Sequence, residues 1–523
     1  MRPTHTRSWR RIVATLGVTT AALATVALQP AAAAGPAPVT PPKVPGAATL
    51  FGPVVETGVP AESVGLLKTS PDVAVPGTLV NVTGTGLAKS AELRLVWMTS
   101  NVRWVLDAKP DSVDYIGRKV DKIGVALANA RTDSAGAFKA SFRVPRDFGG
   151  LHDIFAVVDG KQVARGGFLL ERTVKLSPTR GPVGTPIKVT VIGMGSPTYE
   201  SIGGILYDNR FTGSISANTT RGVSEFTIRA SGDVGTHWIE VGGSSHTVPY
   251  LNMEQSPVPW TDSHRLKFVV TADNGPPKPS IEQPRAVVAS IAERTTLQNA
   301  NIAAGSTARA ELSSASGPIL SKTTVRASGL TAGQPYVVQW ASVVGNRVNC
   351  TGQCWNFVNQ VLGSGVAGAD GTASSNITVP DGLGGWHAVQ VVQGGQVKAQ
   401  TSYFVKRTFV SVPKTVKAGE PFIVELKGVG WTQLDNTVAV TYDNAYIGYA
   451  CGFNSNGYVR IQLFATGKKG THLIDLYPLL YTQQPAYPYP QMGMVPLLGF
   501  AMDAPGLGAG YDLPAIRLAI TVV

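Results

Sequence analysis

At 523 residues the chain is too long for one hydrophobic core and long enough for about three to five domains of ordinary size. Apolar residues make up 43% of it, which excludes a disordered chain, and charged residues only 15%. With 58 Gly and 36 Pro, that mix suits many short strands joined by turns rather than long charged helices. The formal net charge is +12, but Lys and Arg are scattered without a basic run, so no nucleic-acid partner is expected.

In chain order, the N-terminus comes first. Arg7, Arg10 and Arg11 precede "IVATLGVTTAALATVAL", and "QPAAAAGPAP" follows. Basic residues, a short apolar run and a small-residue site predict a secretory signal peptide over 1–34, cut after Ala34. An uncleaved anchor is the alternative. Cleavage removes Arg2, Arg7, Arg10 and Arg11 and lowers the charge from +12 to +8, a mildly basic balance that suits an anionic cell wall. No later apolar stretch is long enough to cross a bilayer, so no membrane span is expected after cleavage. Residues 35–61 form a Pro/Ala-rich segment.

From residue 62 the pattern changes to period-two alternation broken by turn glycines, as in "VPGTLVNVTGTGL", "GAFKASFRVP" and "GLHDIFAVVDG". Such alternation marks half-buried strands. A second block with the same order of signals runs from "TVKLSPTRGPVGTPIKVTVIGMG" through "YDN" and "GVSEFTIRA" to "GTHWIEV". The whole then recurs. Arg172, Gly184, Gly195, Tyr207, Gly222 and His237 match Arg407, Gly419, Gly430, Tyr442, Gly457 and His472, always 235 positions later. Further upstream the offset is 243, where Trp97 meets Trp340, so the second copy has lost eight residues. About seven strands per small unit is the count of an immunoglobulin-like sandwich. The expected fold is therefore all-β. Four tandem immunoglobulin-like β-sandwich domains, 62–172, 173–273, 315–407 and 408–523, form a duplicated two-domain unit, with 274–314 as a Pro/Ser/Ala-rich linker.

Four of the seven histidines share one pattern, Gly-x-His-x-apolar: His152, His237, His387 and His472. Immunoglobulin-like sandwiches place a hydrogen-bonding aromatic near the start of their sixth strand. A histidine there can bury its ring and give one N–H to a nearby carbonyl. One histidine per domain keeps the four apart, so no shared metal is expected. Asp208 and Asp443 fall in "YDN" between two strands, a pair of residues suited to a tight hairpin turn.

On these stretches, "LSPTRGPVGTPIKVTVIGMG … GTHWIEV" and "VPGTLVNVTGTGL … GLHDIFAVVDG", the chain resembles the immunoglobulin-like, IPT/TIG-type repeats of secreted actinobacterial proteins. The resemblance implies the fold and supplies no catalytic residues. The chain departs from it through long insertions.

The search for chemistry yields little. "GGSSHT" around Ser244, Ser245 and His246 is the nearest approach to a serine nucleophile, and no phosphate loop, dinucleotide fingerprint or acidic calcium loop occurs. No catalytic residue, metal ligand or cofactor is expected, and the chain reads as a non-enzyme. Cys350 and Cys354 enclose "TGQ" and are expected to form a local disulfide. Cys451 is left over, buried as a small apolar residue or reactive. The long connections stand out: "GGSSHTVPYLNMEQSPVPWTDSH" and "YPLLYTQQPAYPYPQMGMVPLLGFAMDAPGLGAGYDLP". Loops of that length are uncommon in compact domains and are often functional. Tyr250, Trp260, Tyr477, Tyr481, Tyr487 and Tyr489 are the candidate contact surface for an extracellular protein, a cell-surface glycan or a sister subunit. The alternative is that these loops pack against the adjacent domain. The rival function is an extracellular hydrolase with its site at a domain interface.

Overall fold

The computed structural model describes residues 65–109, 112–195, 202–243, 248–249, 251, 264–284, 296–346, 354–481, 494–500, 502–503, 505–511 and 513–523. All of them lie in one compact unit, Lys43–Val523. The described chain is all-β, with one short α-helix at Pro505–Gly508 and one 3-10 turn at Phe453–Ser455. Among the described residues, no helix is long and apolar enough to cross a membrane.

Alternation builds the strands as expected. In Pro186–Ile192 the residues Ile187, Val189 and Val191 point inward and are fully buried, while Pro186 and Lys188 face water. The strands stack in chain order as two-layer immunoglobulin-like sandwiches. In the first, Ser112–Arg131, Glu92–Lys109, Gly150–Val158 and Lys161–Leu170 lie side by side, and Gly65–Ser70, Leu79–Gly84 and Phe138–Arg143 complete the other layer. Gly65–Ser70 joins the layers: it pairs parallel with Lys161–Leu170 at its start and antiparallel with Leu79–Gly84 from Leu67 onward. Trp97, Leu95, Val80, Val82 and Phe168 fill the space between.

The second sandwich faces Arg180–Gly181, His264–Val270, Gly235–Gly243, Ile202–Tyr207 and Arg210–Ser216 against Val223–Arg229, Pro186–Ile192 and Thr173–Ser177. The fourth repeats that order with Ala515–Val522, Gly470–Pro478, Thr437–Tyr442 and Ala445–Cys451 against Thr408–Ser411, Pro421–Lys427 and Val459–Phe464. The constant offset in the sequence reappears in the strand bounds: Ile202–Tyr207 and Arg210–Ser216 fall 235 positions before Thr437–Tyr442 and Ala445–Cys451. In the third, Ser316–Pro318, Gln396–Lys406, Gly385–Gln393, Pro335–Gly345 and Trp355–Val366 face Arg309–Leu312, Lys322–Ser328 and Ala373–Thr378.

The segment 274–314, read from its composition as a linker, is built into sheets at two places. Ser280–Glu282 adds antiparallel to Ala515–Val522, and Arg309–Leu312 is an edge strand pairing with Lys322–Ser328. The sheet beginning at Arg309 corrects the expected start at 315. Arg309–Leu312 is a short edge strand whose residues are exposed or half-buried, so its alternation signal is weak.

Candidate functional site

Each Gly-x-His stretch opens an inner strand: Gly150–Val158, Gly235–Gly243, Gly385–Gln393 and Gly470–Pro478. The four glycines have φ of 96°, 145°, 83° and 138°, a region that strains any side chain. Two residues on, the ring folds back over the turn. Its Nε2 meets the backbone oxygen four residues earlier: Phe148 (2.7 Å) for His152, Asp233 (2.7 Å) for His237, Leu383 (3.0 Å) for His387 and Lys468 (2.7 Å) for His472. Nδ1 reaches a neighbouring strand or its turn. There it lies against the backbone oxygens of Met98 (2.7 Å) and Ala341 (2.9 Å) in the first and third sandwiches. In the second and fourth it lies 2.6 Å from the carboxylates of Asp208 and Asp443. The residue just before each of these acceptors stacks on the ring: Trp97 at 4.1 Å, Tyr207 at 5.5 Å, Trp340 at 4.7 Å and Tyr442 at 5.3 Å. Such stacking adds about 0.5–1.5 kcal/mol beyond burial.

The carboxylates separate two kinds of corner. The hydrogen bond to Asp443 holds the His472 pKa above its ordinary value. His152 and His387 are fully buried, and loss of solvation pushes both below it. Asp208–Asn209 and Asp443–Asn444 are two-residue turns with φ of 50° and 62°, and of 49° and 62°, as hairpins of this twist require. The same aspartates also accept the backbone N–H of Trp238 (2.8 Å) and Leu473 (2.9 Å). Sequence reasoning found the turn and the histidine but missed that they meet. The signal was there: Asp and His are 29 residues apart in both copies.

The connection after Gly470–Pro478 returns across the molecule. Leu497 and Leu498 run beside the edge strand Arg210–Ser216, with Ser214 N bonded to Pro496 O and Leu498 N to Ser214 O. Leu497, Phe500, Leu507 and Tyr511 then share one buried cluster with Val113 and Tyr115 from the first sandwich, Ile202 from the second and Trp386 and Phe404 from the third. Asp503 is the polar centre of this joint and is only 2% exposed. Its carboxylate accepts from Trp104 Nε1 (3.1 Å), Thr219 N (2.9 Å), Thr219 Oγ1 (2.6 Å) and Asn218 N. Trp104 arrives on a long hairpin, Glu92–Lys109 and Ser112–Arg131, whose Asp114 carboxylate and Tyr115 backbone N–H bond to the side chain of Gln433. This arm begins at the strand that carries Trp97 and lies between the blocks where the repeat offset changes from 243 to 235.

A second joint is ionic. Arg229 of the second sandwich reaches Asp475 at 2.6 Å and donates to Leu518 O. Arg517 bonds Asp475 (3.3 Å), Glu282 (2.5 Å), Tyr477 Oη (2.6 Å) and Thr227 O (2.9 Å). Asp475 is 1% exposed, so its charge is tolerable only beside the two guanidinium groups.

Tyr477 must therefore be corrected as a contact residue: it is 1% exposed, stacked under Arg517 at 4.8 Å, and its ring belongs to the core. Its place on an inner strand, in register with Ala439, decides this. Tyr481 is half-buried and packs near Tyr449, with ring centres 6.2 Å apart. Tyr250, Trp260, Tyr487, Tyr489 and Cys350 lie outside the described residues, as does the "GGSSHT" turn from Ser244 to Thr247. Of the expected Cys350–Cys354 pair, only Cys354 lies within them. Cys451 is exposed, with its Sγ 3.3 Å from Thr437 Oγ1.

No family model matches the chain, and no curated protein matches it. Among solved structures, it is similar to the N-terminal eight immunoglobulin domains of Down Syndrome Cell Adhesion Molecule at 12% identity. That alignment covers 88% of this chain and 55% of that one, with a TM-score of 0.16. A membrane-anchored protein of Corynebacterium diphtheriae aligns at 9% identity over 88% of this chain and 91% of its own, with a TM-score of 0.18. Salmonella alpha-2-macroglobulin aligns at 12% identity over 86% of this chain, which spans 30% of that chain's length, with a TM-score of 0.16. Scores of this size leave the fold to be read from the chain's own sheets.

Proposed function

We propose that the chain is a secreted, non-enzymatic binding or scaffolding protein of four immunoglobulin-like domains in two tandem pairs, of the IPT/TIG type that its sequence resembles. The observation that favours this reading is the welding of distant sandwiches by Asp503 and by the Arg229–Asp475–Arg517–Glu282 network. Rigid joints of this kind suit a protein whose surface is its product: a preorganised surface loses little freedom when a partner binds. The partner is an extracellular protein or a cell-surface glycan, met through the Tyr/Trp/Pro-rich loops, with Tyr250, Trp260, Tyr487 and Tyr489 as contacts and Tyr481 at their base.

The rival hydrolase would need acids free to act at an interface. Glu282 and Asp475 do converge, but on Arg517, and both are engaged in ion pairs there. That arrangement favours a joint over a site. The test is retention of the purified chain on defined cell-wall glycans and on secreted proteins, beside a Tyr487→Ala, Tyr489→Ala variant. Contact residues should weaken binding by about 1–3 kcal/mol and leave the melting temperature unchanged. A variant that melts many degrees lower and binds as before would show that the loops pack the molecule together.

A further inference from the structure

The second and fourth sandwiches are copies of one unit, yet they meet through unlike faces. The fourth gives the outside of its Gly470–Pro478 sheet and the turn after Tyr442. There Asn444 Nδ2 donates to Arg229 O and Ser231 Oγ, both at 2.7 Å, and Leu473 joins the apolar cluster of the second sandwich. The second takes these groups at the end of its edge strand Val223–Arg229, where the Arg229 guanidinium meets Asp475 at 2.6 Å and Ile474 O at 3.4 Å. Corresponding residues meet too, Phe211 with Tyr446 and Asp233 with Lys468, but the buried polar bonds of Arg229 and Asn444 run between unlike positions. A contact of unlike faces leaves one face of each copy unused.

The 235-residue offset names the unused faces. On the second sandwich, Asn209 and Trp238 stand where the fourth has Asn444 and Leu473. On the fourth, Phe464 and Thr466 stand where the second has Arg229 and Ser231. All four are exposed, Trp238 and Phe464 by 52% each, and Phe464 again ends an edge strand, Val459–Phe464. Pro249 packs against Gly204 on the second sandwich, so the open part of its face is the Trp238 end. The replacements are matched. Phe464 lacks the cation of Arg229, and Glu240, in place of Asp475, has no need of it. Glu240 is already bound to Arg265 at 2.9 Å, across the same two strands as Asp475 and Arg517. The polar part is kept in kind: Asn209 has the amide of Asn444, on a turn of the same φ, and Thr466 has the hydroxyl of Ser231.

We propose that a second copy of this chain docks the Phe464 end of its fourth sandwich on the Trp238 face of the second sandwich, repeating between chains the joint that each chain makes within itself. In that contact the Phe464 ring lies beside Trp238, as the Arg229 side chain lies beside Leu473 and Ile474. The Asn209 amide donates to Phe464 O and Thr466 Oγ1. An aromatic pair then stands in place of the internal ion pair, with no charge left unpaired. The choice of a second copy over a foreign partner rests on this correspondence: both halves of the contact are in this chain, and their counterparts already bind one another inside it. Each copy offers both halves, so association runs head to tail.

Sedimentation of the full purified chain across a concentration series tests the idea. The mass of the wild type should rise above that of the monomer as concentration increases. Trp238→Glu and Phe464→Glu should each weaken association by at least about tenfold, because every contact then sets a carboxylate against an aromatic ring. Both side chains are more than half exposed, so circular dichroism and the melting temperature should be unchanged. An equal mixture of the two variants should form a species of two chains and stop there, since one intact pair of faces remains per pair of chains. Phe464→Tyr should associate like the wild type. A wild type that stays monomeric at about 100 µM, far above the affinities of specific complexes, would overturn the proposal. So would variants that still associate, or a mixture that stays monomeric while the wild type does not, because unlike faces must complement one another.

Discussion

At the scale of single residues, three of the corner histidines, His152, His387 and His472, are shifted in opposite directions from the ordinary histidine value. The folded state holds the His472 pKa above its ordinary 6.5, because Asp443 accepts its hydrogen. The folded form then binds that proton more tightly than the unfolded chain, so this contribution is full below about pH 6.5 and fades as pH rises through the folded pKa. His152 and His387 are held below 6.5 by burial. Their contribution is full above about 6.5 and fades as pH falls toward the folded pKa. Urea unfolding from about pH 5 to 9 should therefore lose stability at both ends, and His472→Gln should flatten the alkaline side alone. His237→Ala should cost about 1–3 kcal/mol at neutral pH, from lost packing on Tyr207 and from unpaired partners at Asp208 and Asp233. The Gly-x-His motif was legible because φ leaves only glycine at the turn. The acceptor on Nδ1 was not, because it lies on another strand, and pairing between strands is a property of the folded sheet.

At the scale of elements, the two hairpins after Trp97 and Trp340 have the same place and different uses. The first is an arm of two long strands, Glu92–Lys109 and Ser112–Arg131, that carries Trp104, Val113 and Tyr115 into the central cluster. The third-sandwich hairpin is shorter, and its Trp355 meets Phe453 with ring centres 6.2 Å apart. Between its two strands in the sequence, Cys350 and Cys354 are expected to be joined. So short a ring should contribute less than the roughly 3 kcal/mol of a 15-residue loop. Mass spectrometry without reduction checks it: two alkylatable thiols in this segment would exclude the bond. The eight-residue difference between the two hairpins was legible in the shift of the repeat offset from 243 to 235. The destination of each arm was not, because it depends on which sandwich lies beside it.

At the scale of the whole molecule, a few buried polar groups hold sandwiches that are far apart in sequence. Asp503→Ala would leave Trp104 Nε1, Asn218 N and Thr219 N without an acceptor inside the joint. The expected cost is about 2–4 kcal/mol, read by thermal unfolding, with faster hydrogen exchange at Asn218 and Thr219. Arg517→Ala strands the Asp475 charge near Arg229 alone and opens the contact with Glu282. It should cost about 3–5 kcal/mol and, in calorimetry, separate the unfolding of the second and fourth sandwiches, for which a single shared transition is expected in the wild type.

By itself the sequence determined the all-β class, the duplication and its offset, the Asp–Asn turns and the positions of the corner histidines. All of these rest on local rules, since alternation, turn chemistry and φ act over a few residues. Tertiary structure alone decided that Tyr477 is core, that Ser280–Glu282 belongs to the sheet of the fourth sandwich and that the loop through Asp503 closes on the second. A tyrosine in a long apolar-aromatic stretch reads the same whether a foreign partner or a neighbouring sandwich covers it. Only the docking of one sandwich on another, where Arg517 and Asp475 come to lie against Tyr477, distinguishes the two.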